Sequence, residues 1–133
     1  MIAIIVISEN KAAENMLKTV SKVLGKRQLK NMKSVILKSH FKMETLNNKL
    51  HKALLKYKDA DGILLLTELY GSTQSTVCQS FLRKNKIDLL SGYNLAMLLK
   101  AASLNTKKLT LSDLVKELKK TGRDFIKQIK END

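Results

Sequence analysis

Two acidic residues stand where apolar runs end. Glu9 follows Ile2-Ala-Ile-Ile-Val-Ile7 and Ser8, and Glu68 follows Ile63-Leu-Leu-Leu66 and Thr67. A pair of carboxylates at one edge suggests acid–base hydrolysis or a bound cation, because like charges held close raise one pKa or recruit a counter-ion. Lys11 or a divalent metal would be the partner, whereas two solvated side chains that diverge are the plainer arrangement. Behind Glu68, Gly71 is followed by the hydroxyls of Ser72, Thr73 and Ser75 where a helix should open. These hydroxyls, with the helix-opening N–H groups, form a plausible cradle for phosphate or sulfate. Ordinary helix capping would use only one of them. His40 lies in a turn, His51 on the flank of a helix stripe, and Cys78 on an apolar helix face beside Phe81 and Leu82. Two histidines and one cysteine are too few for a structural zinc site, so neither a metal nor a cofactor is expected.

The elements that must position these groups follow from periodicity. Ile63 to Leu66 is a continuous apolar run, too short for a buried helix, and reads as a central strand covered on both faces. Ile2 to Ile7 is a second buried strand, rich in β-branched residues. Ala13, Met16, Leu17, Val20 and Leu24 mark a helix that Gly25 closes. A basic loop over 26–33 leads to a short strand, Ser34 to Lys38, and a turn Ser39-His40-Phe41-Lys42. Met43, Leu46, Leu50, Leu54 and Tyr57 mark a second helix, and Val77, Cys78, Phe81 and Leu82 a third. A fourth strand over Ile87 to Leu90 precedes a helix from Asn94 to about Ser103.

Residues 104–110 are a polar connection or a short edge strand. Thr110 and Asp113 resemble a capping box opening a last helix, whose stripe is Leu114, Leu118, Phe125 and Ile129, with Gly122 marking close packing. Strands alternating with helices predict right-handed βαβ units. The expected architecture is one α/β/α domain over 1–133 with a mainly parallel four-stranded sheet. Open sheets of this kind place their sites at the carboxyl ends of strands. Glu9, Glu68 and His40 all fall on that edge.

Composition narrows the function classes. The chain is 44% hydrophobic, which argues against disorder, and no apolar run approaches the ~20 residues of a membrane span. The apolar opening lacks a basic leader region and a small-residue cleavage site, so it is read as a strand rather than a signal peptide. One cysteine excludes an internal disulfide and fits a reducing compartment, so a cytoplasmic protein is expected. The net charge of +13 pulls towards polyanions. Yet the lysines are spread through every segment, the arginines are only Arg27, Arg83 and Arg123, and aromatic residues make up 5%. Base and phosphate reading rests on arginine and on stacking rings, so a solvated lysine-rich surface is the better account. Nucleic-acid binding stays as an alternative that would weaken steeply with salt.

Four stretches resemble enzyme IIA of the mannose family of the bacterial phosphotransferase system. Ile2-Ala-Ile-Ile-Val-Ile-Ser-Glu-Asn-Lys-Ala-Ala-Glu14 is similar to its opening strand, active-site turn and helix start. Asp61 to Thr76 is similar to the segment holding its Asp-Leu-Phe-Gly-Gly-Thr-Pro-Ser-Asn turn. Ser91-Gly-Tyr-Asn-Leu-Ala-Met-Leu-Leu99 is close to its Ser-Gly-Val-Asn-Leu-Pro-Met-Leu-Leu signature, and Gly122-Arg-Asp-Phe-Ile126 is a fourth, weaker match. The resemblance implies a protein that takes a phosphoryl group from a histidine phosphocarrier onto a histidine at the end of its first strand. It then passes the group to a IIB domain and so to the incoming sugar. Such chemistry needs a neutral imidazole, a carboxylate to fix its tautomer and donors for the phosphoryl oxygens.

The match fails where that chemistry would sit. Glu9 falls at the accepting histidine and Asn10 at the glycine after it, and Glu68 takes the place of the orienting aspartate. Ser72, Thr73 and Gln74 stand for the glycine, threonine and proline of the second turn, and Ala96 for the proline of the third motif. Glu9 either mimics a phosphohistidine-like charge, partially at about one charge against nearly two, or is simply tolerated. The family analogy gives acid–base hydrolysis no support. The expectation is a IIA-like protein that has lost histidine phosphotransfer and binds or regulates. Its partners would be a histidine phosphocarrier, a IIB-like protein or another regulatory protein. The surface for this would bear Ser8, Glu9, Asn10, Glu68, Gly71, Ser72 and Thr73. An active phosphocarrier using His40 is the alternative. The resemblance also implies a homodimer that exchanges a strand matching residues 104–110, although Lys107 and Lys108 are equally what a protected edge carries.

Overall fold

The computed structural model describes all 133 residues, Met1–Asp133. Its elements in chain order are β1 (Ile2–Ser8), α1 (Ala12–Leu24), β2 (Met32–Ile36), α2 (Met43–Leu55), β3 (Gly62–Thr67), α3 (Thr73–Gln79), β4 (Ile87–Ser91), α4 (Leu95–Ser103) and α5 (Leu111–Asp124). The two uninterrupted apolar runs become the two inner strands. Every residue of β1 and β3 is buried, as expected for strands covered on both faces. The four strands are all parallel, in the order β2-β1-β3-β4.

Strand alternation divides the core in two. Ile2, Ile4, Val6, Leu64 and Leu66 face one layer with residues of α1, α4 and α5. Ala3, Ile5, Ile7, Ile63 and Leu65 face the other with residues of α2 and α3. Each large aliphatic side chain removed from water contributes roughly 1.5–3 kcal/mol, so the inner strands anchor both layers. The chain passes from β1 outward to β2 and returns to β3 on the other side of β1. The carboxyl ends of β1 and β3 therefore flank the point where strand order reverses, the usual crevice of an open α/β sheet. No helix is long and apolar enough to cross a membrane.

Several local readings are realised. Gly25 takes φ 90° and its N–H donates to Ser21 O, closing α1. Thr110 and Asp113 form a reciprocal capping box at the start of α5. A Cβ on Gly122 would lie 2.6 Å from Met97 Sδ, and Gly122 O accepts from Asn94 Nδ2 at 3.1 Å. Gly122 is thus where α5 crosses the first turn of α4.

Other segments differ from expectation. Residues 104–110 contain no strand but a 3-10 turn over Thr106–Lys108, so of the two forms foreseen the polar connection is the one present. Asn105 caps that turn through Lys107 N–H, and the buried Thr106 Oγ1 accepts from Ile2 N–H and Asn31 Nδ2, both at 3.3 Å. These polar ties fasten the segment to the amino end of β1 instead of leaving it extended. The last helix stops at Asp124, and Phe125 and Ile129 are 70% and 86% exposed rather than part of its buried stripe. Gly122 already lies against the start of α4, so the residues beyond it have no helix to pack on. The third helix is shorter than its apolar spacing implied: Val77 and Cys78 are buried within α3, whereas Phe81 and Leu82 follow its end. The basic loop holds a 3-10 turn at Lys26–Leu29, and β2 begins at Met32.

Candidate functional site

Parallel register sets Val6 opposite Leu66, so the segments leaving β1 and β3 emerge side by side. The β1–α1 turn is shaped from within. Ser8 is fully buried; its Oγ donates to Asn10 O and accepts from Ala13 N–H at 3.1 Å. Asn10 Oδ1 accepts from Ala12 N–H at 2.9 Å. These contacts present the Glu9 backbone to Glu68, whose Oε1 accepts from Glu9 N–H at 2.9 Å.

The Glu9 carboxylate takes a separate set of donors. Ser39 N–H donates to its two oxygens at 3.1 and 3.0 Å, Ser39 Oγ donates at 3.0 Å, and Gln74 Nε2 donates to Oε2. Ser39 lies in the β2–α2 turn and Gln74 in the first turn of α3. Gln74 also donates to Leu37 O at 2.8 Å and is itself buried. One carboxylate therefore ties together three turns from three strands. The Ser39 backbone N–H is the main cause holding the Glu9 carboxyl below its ordinary range. Desolvation opposes it, and the Ser39 hydroxyl, Gln74 and the charge of His40 act in the same lowering sense. Lys11 is in no ion pair. No group of three or more His, Cys, Asp or Glu side chains is placed to hold a metal.

His40 is brought to this edge. Its exposed ring packs tilted against Phe41, with centroids 4.5 Å apart, and its charge acts on Glu9. His51 lies elsewhere, stacked on Phe81 at 6.4 Å. Tyr93 borders the Glu68 side, its hydroxyl donating to Ile7 O at 3.1 Å. Burial first and then the Glu68 charge push that phenol up.

In the β3–α3 turn Gly71 adopts φ 77°, a left-handed conformation that a side chain would strain. Ser72 is the N-cap of α3, accepting from Ser75 N–H at 3.2 Å. Ser75 Oγ donates to Leu69 O at 3.1 Å and contacts Thr67 Oγ1 at 2.8 Å, which in turn meets Ser91 Oγ at 3.0 Å. Two of the three hydroxyls read as an anion cradle thus serve the turn itself, and Thr73 is the one that makes no hydrogen bond within the chain. Leu69 and Tyr70 project from the same turn, 68% and 89% exposed. Cys78 is buried on the inner face of α3, its thiol pushed up to about 12 by desolvation.

Nothing in the sequence marks Ser39, Thr67 and Ser91 together as members of this cluster, and Gln74 stands out there only as a departure from a motif. Thr67 and Ser91 had a weak signal, being hydroxyls that end apolar runs. Ser39 had none, since its role depends on how the β2–α2 turn meets β1.

The comparisons with known proteins agree with this architecture. The family model EIIA-man, PTS system fructose IIA component, matches residues 3–119. The Bacillus subtilis PTS system fructose-specific EIIA component is 33% identical over 78 residues, which are 58% of this chain and 53% of that protein. The Escherichia coli PTS system mannose-specific EIIAB component is 26% identical over 130 residues, 97% of this chain and 40% of that protein. The chain thus spans about half or less of the length of these relatives. Among solved structures, the mannose/sorbose-specific IIA subunit from Enterococcus faecalis superposes with TM-score 0.84 at 22% identity, covering 96% of this chain and 94% of that one. A phosphotransferase component EIIA from Streptococcus agalactiae gives TM-score 0.82 at 24% identity, over 96% and 97% of the two chains. With a family model covering most of its length, this chain belongs to the EIIA-man family of phosphotransferase-system IIA components.

Proposed function

We propose that this IIA-family chain no longer carries a phosphoryl group and instead binds other proteins of the phosphotransferase system, or a regulatory partner. One observation carries the reading. Glu9 stands where the family resemblance puts the accepting histidine, and its carboxylate is already held by Ser39 and Gln74. A lowered carboxyl pKa and several donors make it a weak nucleophile, and its charge fills the place where phosphoryl oxygens would be gripped. Exposed Leu69, Tyr70 and Phe41 on the neighbouring turns supply apolar contacts for a docking protein. The same reading puts the protein in the cytoplasm, and the family resemblance extends it to a homodimer, which sedimentation would test.

The deciding experiment incubates the protein with phosphoenolpyruvate, enzyme I and the histidine phosphocarrier, and records intact mass at neutral pH. No added phosphate is expected beside an active IIA control, together with measurable binding to the phosphocarrier or a IIB protein by calorimetry. A gain of one phosphate overturns the reading. A second reading, His40 as a displaced acceptor, is favoured by its exposed ring next to Glu9. It requires acid-labile phosphorylation that disappears in His40→Ala, and a His40→Ala variant that still gains phosphate removes it.

A further inference from the structure

We propose that a cavity at the opposite edge of the sheet binds a small amphiphilic anion, an apolar ring-sized body bearing one carboxylate or phosphate group. The cavity opens between the ends of α2 and α3 and the amino ends of β3 and β4, and has a volume of about 520 Å³. That size suits a small-molecule site, as does an apolar lining with few polar groups. Leu54, Tyr57, Ile63, Phe81 and Ile87 line it. Phe81 and His51, stacked at an interplanar angle of 23°, add an aromatic pair to the lining.

Beside the cavity's shape, its charge points to a ligand of this class. Lys58, Arg83 and Lys86 also line the cavity, and no carboxylate does. None of the three is in an ion pair, and Asp61, which feels the charge of Lys86, is already paired with the Met1 amino group. Three unmatched cations around an apolar hollow complement one anionic group on an apolar body. The cavity's size and the small number of cations favour a small molecule over a nucleic-acid backbone. This site is separate from the Glu9 edge and does not rest on the phosphotransferase reading.

The test is a fluorescence titration of the full chain with 8-anilinonaphthalene-1-sulfonate, beside its neutral counterpart N-phenyl-1-naphthylamine. Saturable binding of the sulfonate at one site per chain is expected, with the neutral probe much weaker. The double variant Arg83→Gln, Lys86→Gln should weaken the sulfonate roughly tenfold, the loss of about one charge-assisted contact. A control variant with Phe125, Ile126 and Ile129 changed to Ser should bind unchanged. Amide shifts on binding should cluster at residues 54–63 and 80–87. Displacement of the probe by phenyl phosphate or by benzoate then assigns the anionic group. Equal binding of the neutral probe, unchanged affinity in the Arg83→Gln, Lys86→Gln variant, displacement by neither anion, or loss of binding in the tail variant overturns the proposal. So does a change in sedimentation mass on Arg83→Gln, Lys86→Gln, which would make this face an interface between copies.

Discussion

Glu68 Oε1 accepts the backbone N–H of Glu9 at 2.9 Å, while the carboxylate of Glu9 is held by Ser39 and Gln74. The two acidic residues are joined through a peptide group, each with its own donors, and neither needs the other's proton or a shared cation. Glu68 orders the backbone at the end of β1. Glu9 then locks the β2–α2 turn and the start of α3 around itself.

The Glu9 contacts predict a pH dependence. Its folded pKa lies below the ordinary 4.5, so its ionised form is favoured by folding. A lowered carboxyl pKa contributes stability that is present above the unfolded value and is lost as pH falls through the folded one. Wild type should therefore exceed Glu9→Gln in Tm by a constant margin at neutral pH, and the margin should shrink as pH drops below 4.5. Thermal melts of both proteins at pH 7, 5, 4 and 3 read this directly. A margin that is the same at every pH would show that the charge contributes nothing.

Gln74 serves two acceptors at once, Leu37 O at 2.8 Å and the Glu9 carboxylate. Gln74→Leu keeps the volume but strands a buried carbonyl, and should cost about 1–3 kcal/mol in urea unfolding. Combining it with Glu9→Gln should cost less than the two single losses together, because both act on the same contact. Simple additivity would mean that the bridge carries no coupling.

Cys78 offers a probe of native-state opening. It is fully buried, with its thiol pushed up to about 12 by desolvation, so it presents almost no thiolate. Its reaction with a disulfide reagent at pH 8 should be at least ~100-fold slower than that of a free thiol, and should rise with denaturant in step with unfolding. Fast labelling of the folded protein would contradict the packing of α3.

The two ends of the last apolar stripe should behave oppositely. Leu118 is fully buried between α5 and the sheet layer, and Leu118→Ala should cost about 2–5 kcal/mol. Ile129 is 86% exposed beyond the end of the helix, and Ile129→Asp should change stability by no more than about 0.5 kcal/mol. Equal losses at both positions would mean that the helix continues through Ile129.

Much of this protein is written in local pattern. The continuous runs Ile2 to Ile7 and Ile63 to Leu66 could only be strands covered on both faces, and the alternating helices forced parallel pairing with the carboxyl ends of β1 and β3 at one edge. Thr110, Asp113 and Gly25 announced helix ends because capping is chemistry within a few residues. Tertiary structure decided what periodicity cannot carry. Phe125 and Ile129 continue the apolar spacing of α5, but whether a stripe is buried depends on having a neighbour, and α4 ends the contact at Gly122. Residues 104–110 hold a 3-10 turn over Thr106–Lys108 rather than a strand, fastened where Thr106 meets Ile2 and Asn31, groups distant in sequence. Glu9 was legible as a residue at the right edge. That its carboxylate would be held by Ser39 and Gln74, 30 and 65 positions away, was not, because those donors reach it only once three strands lie side by side.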